Sequence, residues 1–223
     1  MPGSSELPEG LARVSELRSV VQEVGACALP GVTVRYDNFM HTLWHCVAKG
    51  HVKHDAAAFV ADGLRWGFKA GIDVSRLHGH RWFTNYKSAL DNREAVKRAN
   101  MKRVEEGKTL NLGTWTKALA DGIKEFWPAS AIFPMGAVAK SLTPTEFRPT
   151  DDHTRTGVNS ATDLQGLRHS LDAYSEIAWF LKLDYFMRVS DVEGAFTLLP
   201  LHPDVWAFFL FRFFADGSDF GMS

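Results

Sequence analysis

Apolar residues recur at helical spacing along the first part of the chain. Leu11, Val14, Leu17, Val20, Val21 and Val24 predict an amphipathic helix that stops near Gly25, behind an opening of Pro, Gly, Ser and Glu that reads as a disordered leader. Asn38 to Lys49, with Phe39, Leu43, Trp44 and Val47, predicts a second helix ended by Gly50. Asp55 reads as the N-cap of a third, Ala56 to Phe68, with Phe59, Val60, Leu64 and Phe68 as its buried stripe. Inside it, Gly63 and Gly67 each cost about 1 kcal/mol relative to Ala, which points to close packing or an early end. Asp91 to Glu106 predicts a helix capped by Asp91 or Asn92 and stopped by Gly107. Trp115 to Phe126 predicts another, after Thr114 and closed by Trp127-Pro128.

From Ala131 the period shortens. Ala131 to Phe133, Gly136 to Lys140 and Glu146 to Arg148 read as short strands punctuated by Pro134, Pro144 and Pro149, so they belong at edges or in a hairpin. Thr162 or Asp163 caps a further helix to about Leu181, with Leu164, Leu167, Leu171, Tyr174, Ile177, Ala178 and Leu181 on its buried face. Two more strands follow, Tyr185 to Val189 and Trp206 to Phe214. The expected class is α+β, divided into a leader and first helix (1–30), a helical extension (31–129) and a strand-containing region with a small antiparallel sheet (130–223).

Composition narrows the class. An apolar fraction of 45% with 12% aromatics supports a buried core and excludes disorder throughout. No apolar run approaches the length of a membrane-spanning helix, and no basic segment followed by an apolar one opens the chain, so a soluble, intracellular protein without membrane partners is expected. Cys27 and Cys46 make no disulfide framework. The net charge of -1 hides a local asymmetry: Arg76 to Lys124 holds 11 Lys or Arg against 5 Asp or Glu, an excess of 6. Such a segment suits a phosphate-tracking surface, and equally a solvated helix face. His41, His45, Cys46, His51 and His54 form the one cluster with metal-ligand chemistry. Their spacing follows no zinc pattern, and solvated or hydrogen-bonded histidines explain it as well.

The remaining chemistry gathers where the strand ending at Val189 runs into Asp191. A carboxylate at a strand end is placed to hold Mg²⁺, which prefers hard oxygen ligands and substrate phosphates. Asp191 also reads as the N-cap of a short turn, Val192 to Leu198. Asp191, Ala195 and Phe196, followed by Leu199-Pro200-Leu201-His202-Pro203-Asp204 and an apolar strand, resemble the first catalytic-aspartate motif of reverse transcriptases. Pro134 to Lys140, then Phe147-Arg148-Pro149, Asp152 and Gly157-Val158-Asn159, resemble the fingers hairpin of the same family. Gly63 to Phe68 with Asn85 to Ala89 is similar to the segment before the fingers in DIRS-type, tyrosine-recombinase-bearing retroelements.

The resemblance implies an RNA-directed DNA polymerase, a nucleotidyltransferase with fingers and palm. Its implied partners are template, primer and deoxynucleoside triphosphate. Asp191 would ligate Mg²⁺, and Phe196 would pack under the sugar and exclude a 2′-hydroxyl. Lys140 and Arg148 would hold the triphosphate, Asp152 and Asn159 would serve structural or template-positioning roles, and Arg155 is a further candidate substrate contact. On their own, Phe196 also reads as core and Lys140 and Arg148 as exposed hairpin charges. The family's second motif, two adjacent aspartates, does not follow Asp191, and Asp151-Asp152 precedes it. The expectation is therefore an incomplete fingers and palm domain, inactive alone. A non-catalytic nucleic-acid-binding or interaction module is the alternative.

Overall fold

The computed structural model describes residues 7–32, 36–140, 146–163, 199–213 and 220–222. Within them the chain is α+β. The helices are α1 (Glu9–Glu23), α2 (Tyr36–Ala48), α3 (His54–Trp66), α4 (Lys87–Asp91), α5 (Arg93–Glu105), α6 (Lys117–Phe126) and α7 (Val158–Ala161). The strands are β1 (His80–Trp82), β2 (Leu110–Gly113), β3 (Ser130–Ile132), β4 (Met135–Ala139), β5 (Phe147–Asp151), β6 (Leu210–Arg212) and β7 (Phe220–Met222).

One mixed sheet runs in the order β1-β3-β6-β7-β2, and β4 and β5 form a separate antiparallel hairpin. β1, β3 and β6 are parallel, with Trp82 opposite Ile132 and Ile132 opposite Leu210; β7 runs antiparallel to both β6 and β2. Strands flanked on both sides and covered on both faces need apolar residues at consecutive positions, and Ala131, Ile132 and Phe133 in one segment and Leu210 and Phe211 in the other are all buried. Successive side chains point to opposite faces. Ile132 and Leu210 accordingly join Leu11, Val14, Leu119 and Ile123 in one core cluster, while Phe133 and Phe211 join Ala89, Val96, Met135 and Phe213 in another. α1 approaches β2 so closely that a Cβ at Gly10 would stand 2.3 Å from the Leu112 carbonyl oxygen.

Several elements depart from the expected pattern. The region 31–129 is not purely helical: it contributes β1 and β2, and β1 pairs with β3 across the expected division at 129/130. His80-Arg81-Trp82 is too short, with a cation at its centre, to show a strand period. In α3 the buried face is Ala57, Ala61 and Leu64, whereas Phe59 is 65% exposed and meets Phe68 edge-on at 5.9 Å. Small side chains let α3 sit against the turn Ala26–Ala28. Gly63 lies under the Phe68 ring, and Gly67, at φ 92°, ends the helix. α6 begins at Lys117, because the Thr116 hydroxyl accepts the Leu119 N–H at 3.1 Å.

The expected strand Trp206 to Phe214 is in fact a 3-10 helix, Pro203–Phe208, followed by the short β6. Pro203 presets the first turn, and the His202 ring accepts the Asp204 N–H at 3.2 Å. β6 is an interior strand of the sheet, with β3 on one side and β7 on the other. The expected helix to Leu181 and strand Tyr185 to Val189 lie outside the described residues, as do Asp191 and Phe196.

Candidate functional site

The β4–β5 hairpin carries both described residues of the expected triphosphate site. Val138 stands opposite Arg148 and Ala139 opposite Phe147, and the Lys140 N–H donates to the Glu146 carbonyl at 2.9 Å. With a period of two, Val138, Lys140, Glu146, Arg148 and Thr150 share one face, and all five are exposed. Met135 and Ala137, on the other face, are buried against Ala89, Val96 and Phe211, with Phe147 packed beside them. The hairpin is pinned at its base. Buried Asn85 accepts the Met135 N–H at 3.0 Å and donates to the Arg212 carbonyl at 2.7 Å, and Ser88 Oγ accepts the Ala137 N–H at 3.2 Å. Lys140 Nζ lies 3.1 Å from Glu146 Oε2, an acidic neighbour that the sequence pattern did not single out.

Asp152 and Asn159 fold the turn that follows β5. Asp152 accepts the N–H groups of Thr154 at 3.0 Å and Arg155 at 3.2 Å and the hydroxyl of Tyr86, and Asn159 donates to Thr154 Oγ1 at 2.8 Å. The Tyr86 hydroxyl first, then the backbone donors and Arg155, hold the Asp152 carboxyl below its usual range against a smaller cost of burial. The Arg155 guanidinium lies 5.0 Å from the Phe83 ring centre and 5.7 Å from that of Tyr86.

His153, which no sequence signal marked, sits between Phe133 and Phe209 at centroid distances of 4.4 and 5.1 Å. Its Nδ1 is buried without a hydrogen-bond partner among the described residues. Burial lowers its pKa, opposed by Asp151 and Asp152. Burial raises the Asp151 pKa, opposed by Arg103 at 3.8 Å and by His153.

Among the described residues no three His, Cys, Asp or Glu side chains come together as a metal site. His41, His45 and Cys46 lie on α2, His51 follows it and His54 opens α3, where its ring meets Trp44 at 5.4 Å. At the end of the hairpin, Asp151 faces Arg103 and Asp152 accepts the Tyr86 hydroxyl, while Glu146 at its tip is paired with Lys140. No helix among the described residues is long and apolar enough to cross a membrane. No family model, curated protein or solved structure matches this chain.

Proposed function

We propose that this chain is an incomplete reverse-transcriptase-like nucleotidyltransferase domain of retroelement origin, holding a fingers hairpin and the first half of a palm. The supporting observation is the shared exposed face of Lys140 and Arg148 on an antiparallel hairpin anchored by Asn85 and Ser88. Two cations on one rigid face suit a polyphosphate, and phosphoryl transfer depends chiefly on positioning and charge neutralisation. Asp191 is the proposed metal ligand and Phe196 the proposed sugar gate. Bound Mg²⁺ would supply further charge neutralisation at the phosphoryl oxygens.

Binding of a deoxynucleoside triphosphate with Mg²⁺ tests the proposal. The Lys140→Ala/Arg148→Ala double variant is expected to lose roughly tenfold or more in affinity, as for the loss of charge-assisted contacts. Phe196→Ala is expected to bind ribo- and deoxyribonucleotides alike. Triphosphate binding untouched by the double variant would sink the assignment. Purified chain is expected not to extend a primer with Mg²⁺ or Mn²⁺, because Asp191 is followed by no adjacent acidic pair to complete a two-metal site. Template-dependent incorporation abolished by Asp191→Ala would show instead that the site is complete.

A second reading, a non-catalytic nucleic-acid-binding module, is supported by the cation excess from Arg76 to Lys124. Binding of labelled single and double strands at several salt concentrations tests it, since the slope reports the phosphates neutralised. No binding at low salt would remove it.

A further inference from the structure

At the β1 edge of the sheet, aromatic rings and cations alternate. Trp82 and Trp115 meet edge to face at 5.4 Å, Lys124 Nζ lies 5.1 Å from the Trp82 ring centre, and the Arg212 guanidinium lies 5.1 Å from that of Trp115. The Trp82 ring is held in place: its Nε1–H donates to Ser130 Oγ at 2.9 Å, and the same hydroxyl binds His80 Nδ1 at 2.9 Å. Ser130 is buried, and the His80 ring lies 5.6 Å from Trp82. The β1, β3 and β6 register puts His80, Trp82, Ser130 and Arg212 on one side of the sheet.

The charges here are unusual. Arg212 is half-buried, yet its partners are the Phe83 carbonyl, which accepts from Nη2 at 3.3 Å, and the Trp115 ring. A guanidinium has five N–H donors. Desolvated cations normally sit against carboxylates, but among the described residues neither Arg212 nor Lys124 forms an ion pair. On the Lys124 helix, Asp121 is bound by Lys117, which together with the Lys124 charge lowers its pKa, and neither it nor the neighbouring Glu125 comes within ion-pair distance of Lys124. Lys124 is exposed and covers Trp82 with one flexible ammonium. Trp82 is half-buried and packs in part against the core, so a base stacked on its remaining face would take the place of the Lys124 ammonium, and no salt bridge among the described residues would break.

We propose that Trp82, Lys124 and Arg212, braced by Ser130 and Trp115, form a binding site for single-stranded nucleic acid, with one base stacked on Trp82 and the neighbouring phosphates on the two cations. Stacking on a fixed ring needs an unpaired base with an open face, which a duplex does not present. The inference rests on the nucleic-acid half of the proposed function and is independent of the hairpin, since Lys140 and Arg148 take no part in it.

Fluorescence anisotropy with labelled oligo(dT), and with a duplex of equal length, tests the site in the full chain. The wild-type chain is expected to bind oligo(dT) more tightly than duplex. Trp82→Leu and Arg212→Gln are expected to weaken oligo(dT) binding about tenfold, in line with the loss of one stacked base or one charged contact. Lys124→Glu, at an exposed position that leaves the core untouched, is expected to weaken it and flatten its salt dependence, while Lys49→Glu, at an exposed position just after α2, is expected to leave it unchanged. The Lys140→Ala/Arg148→Ala double variant is expected to keep oligo(dT) binding and lose triphosphate binding, so the two sites fail separately. Duplex bound as well as oligo(dT), equal competition by polyglutamate, or full binding by both Lys124→Glu and Trp82→Leu would each overturn the proposal.

Discussion

At Gly67 a single hydrogen atom decides whether two distant segments can meet. Its φ of 92° is one that side chains rarely adopt, and a Cβ there would lie 2.5 Å from the His202 backbone nitrogen. That approach lets the Phe68 N–H reach the Pro200 carbonyl at 2.8 Å and the His202 N–H reach the Phe68 carbonyl at 3.1 Å. Gly67→Ala is therefore expected to cost about 3 kcal/mol or more in urea unfolding, adding a backbone clash to the strain. Gly50→Ala, at φ 73° with nothing within 4 Å of the added carbon, is expected to cost only about 1 kcal/mol. Equal losses at both sites would remove the close-approach explanation. His153 makes a second residue-scale case. Because its folded pKa lies below the ordinary 6.5, the unfolded chain binds the proton more readily. Stability is then full above pH 6.5 and is lost as pH falls from there through the lowered folded value. His80 and His202 are lowered in the same direction and add to the slope. His153→Phe keeps an aromatic between Phe133 and Phe209 and removes the orphan Nδ1. It is expected to stabilise by about 1 kcal/mol and to shrink the fall in urea midpoint between about pH 7.5 and 5.5, the range of histidine titration. An unchanged slope would show that His153 does not titrate in this window.

At the scale of elements, the hairpin is the unit on which the triphosphate assignment depends. Lys140 and Glu146 are both more than half exposed, and such pairs contribute little to stability. Their effect on a ligand is larger, since Glu146 places a negative charge where phosphate would come. Glu146→Gln is expected to tighten triphosphate binding several-fold with no change in thermal midpoint. Weaker binding in that variant would mean that Glu146 positions Lys140 instead of competing for it. The hairpin was legible because its two faces alternate and Pro134 precedes it, although Pro149 falls inside β5, opposite Ala137; the helix ends at Gly25, Gly50 and Gly107 were legible because each glycine takes a positive φ. Other features were hidden for physical reasons. β1 and β2 carry Arg81 and Asn111 within runs of three or four residues, too few to display a period. α3 turns Ala57 and Ala61 inward with Leu64 and leaves Phe59 outside, in keeping with its close approach to Ala26–Ala28. Pro203–Phe208 is apolar enough for a strand, but Pro203 and the His202 cap turn it into a helix. His153 and the Trp82–Trp115 pair join residues far apart in the chain, and no local spacing encodes them.

For the whole molecule, the sheet order carries a consequence for how the chain divides. Of the five strands, β1 and β2 come from residues before 130, and β3, β6 and β7 from residues after it. Among the described residues β1 pairs only with β3, and β2 only with β7, so neither early strand has a described partner from its own side of the division. The core shows the same mixing. Leu11, Val14, Leu119 and Ile123 pack with Ile132 and Leu210, and Ala89 and Val96 pack with Phe133, Met135 and Phe211. Cutting there would expose both faces of β3 and β6 and leave strands without ladder partners, which favours aggregation. Residues 1–129 and 130–223 expressed separately are thus expected to lack a cooperative unfolding transition, whereas the two expressed together are expected to associate and recover one. Circular dichroism and denaturant unfolding of each piece and of the co-purified pair distinguish the cases. If either piece alone unfolds cooperatively with native-like near-ultraviolet signal, the chain has two independent folding units and the shared sheet is only a docking surface between them.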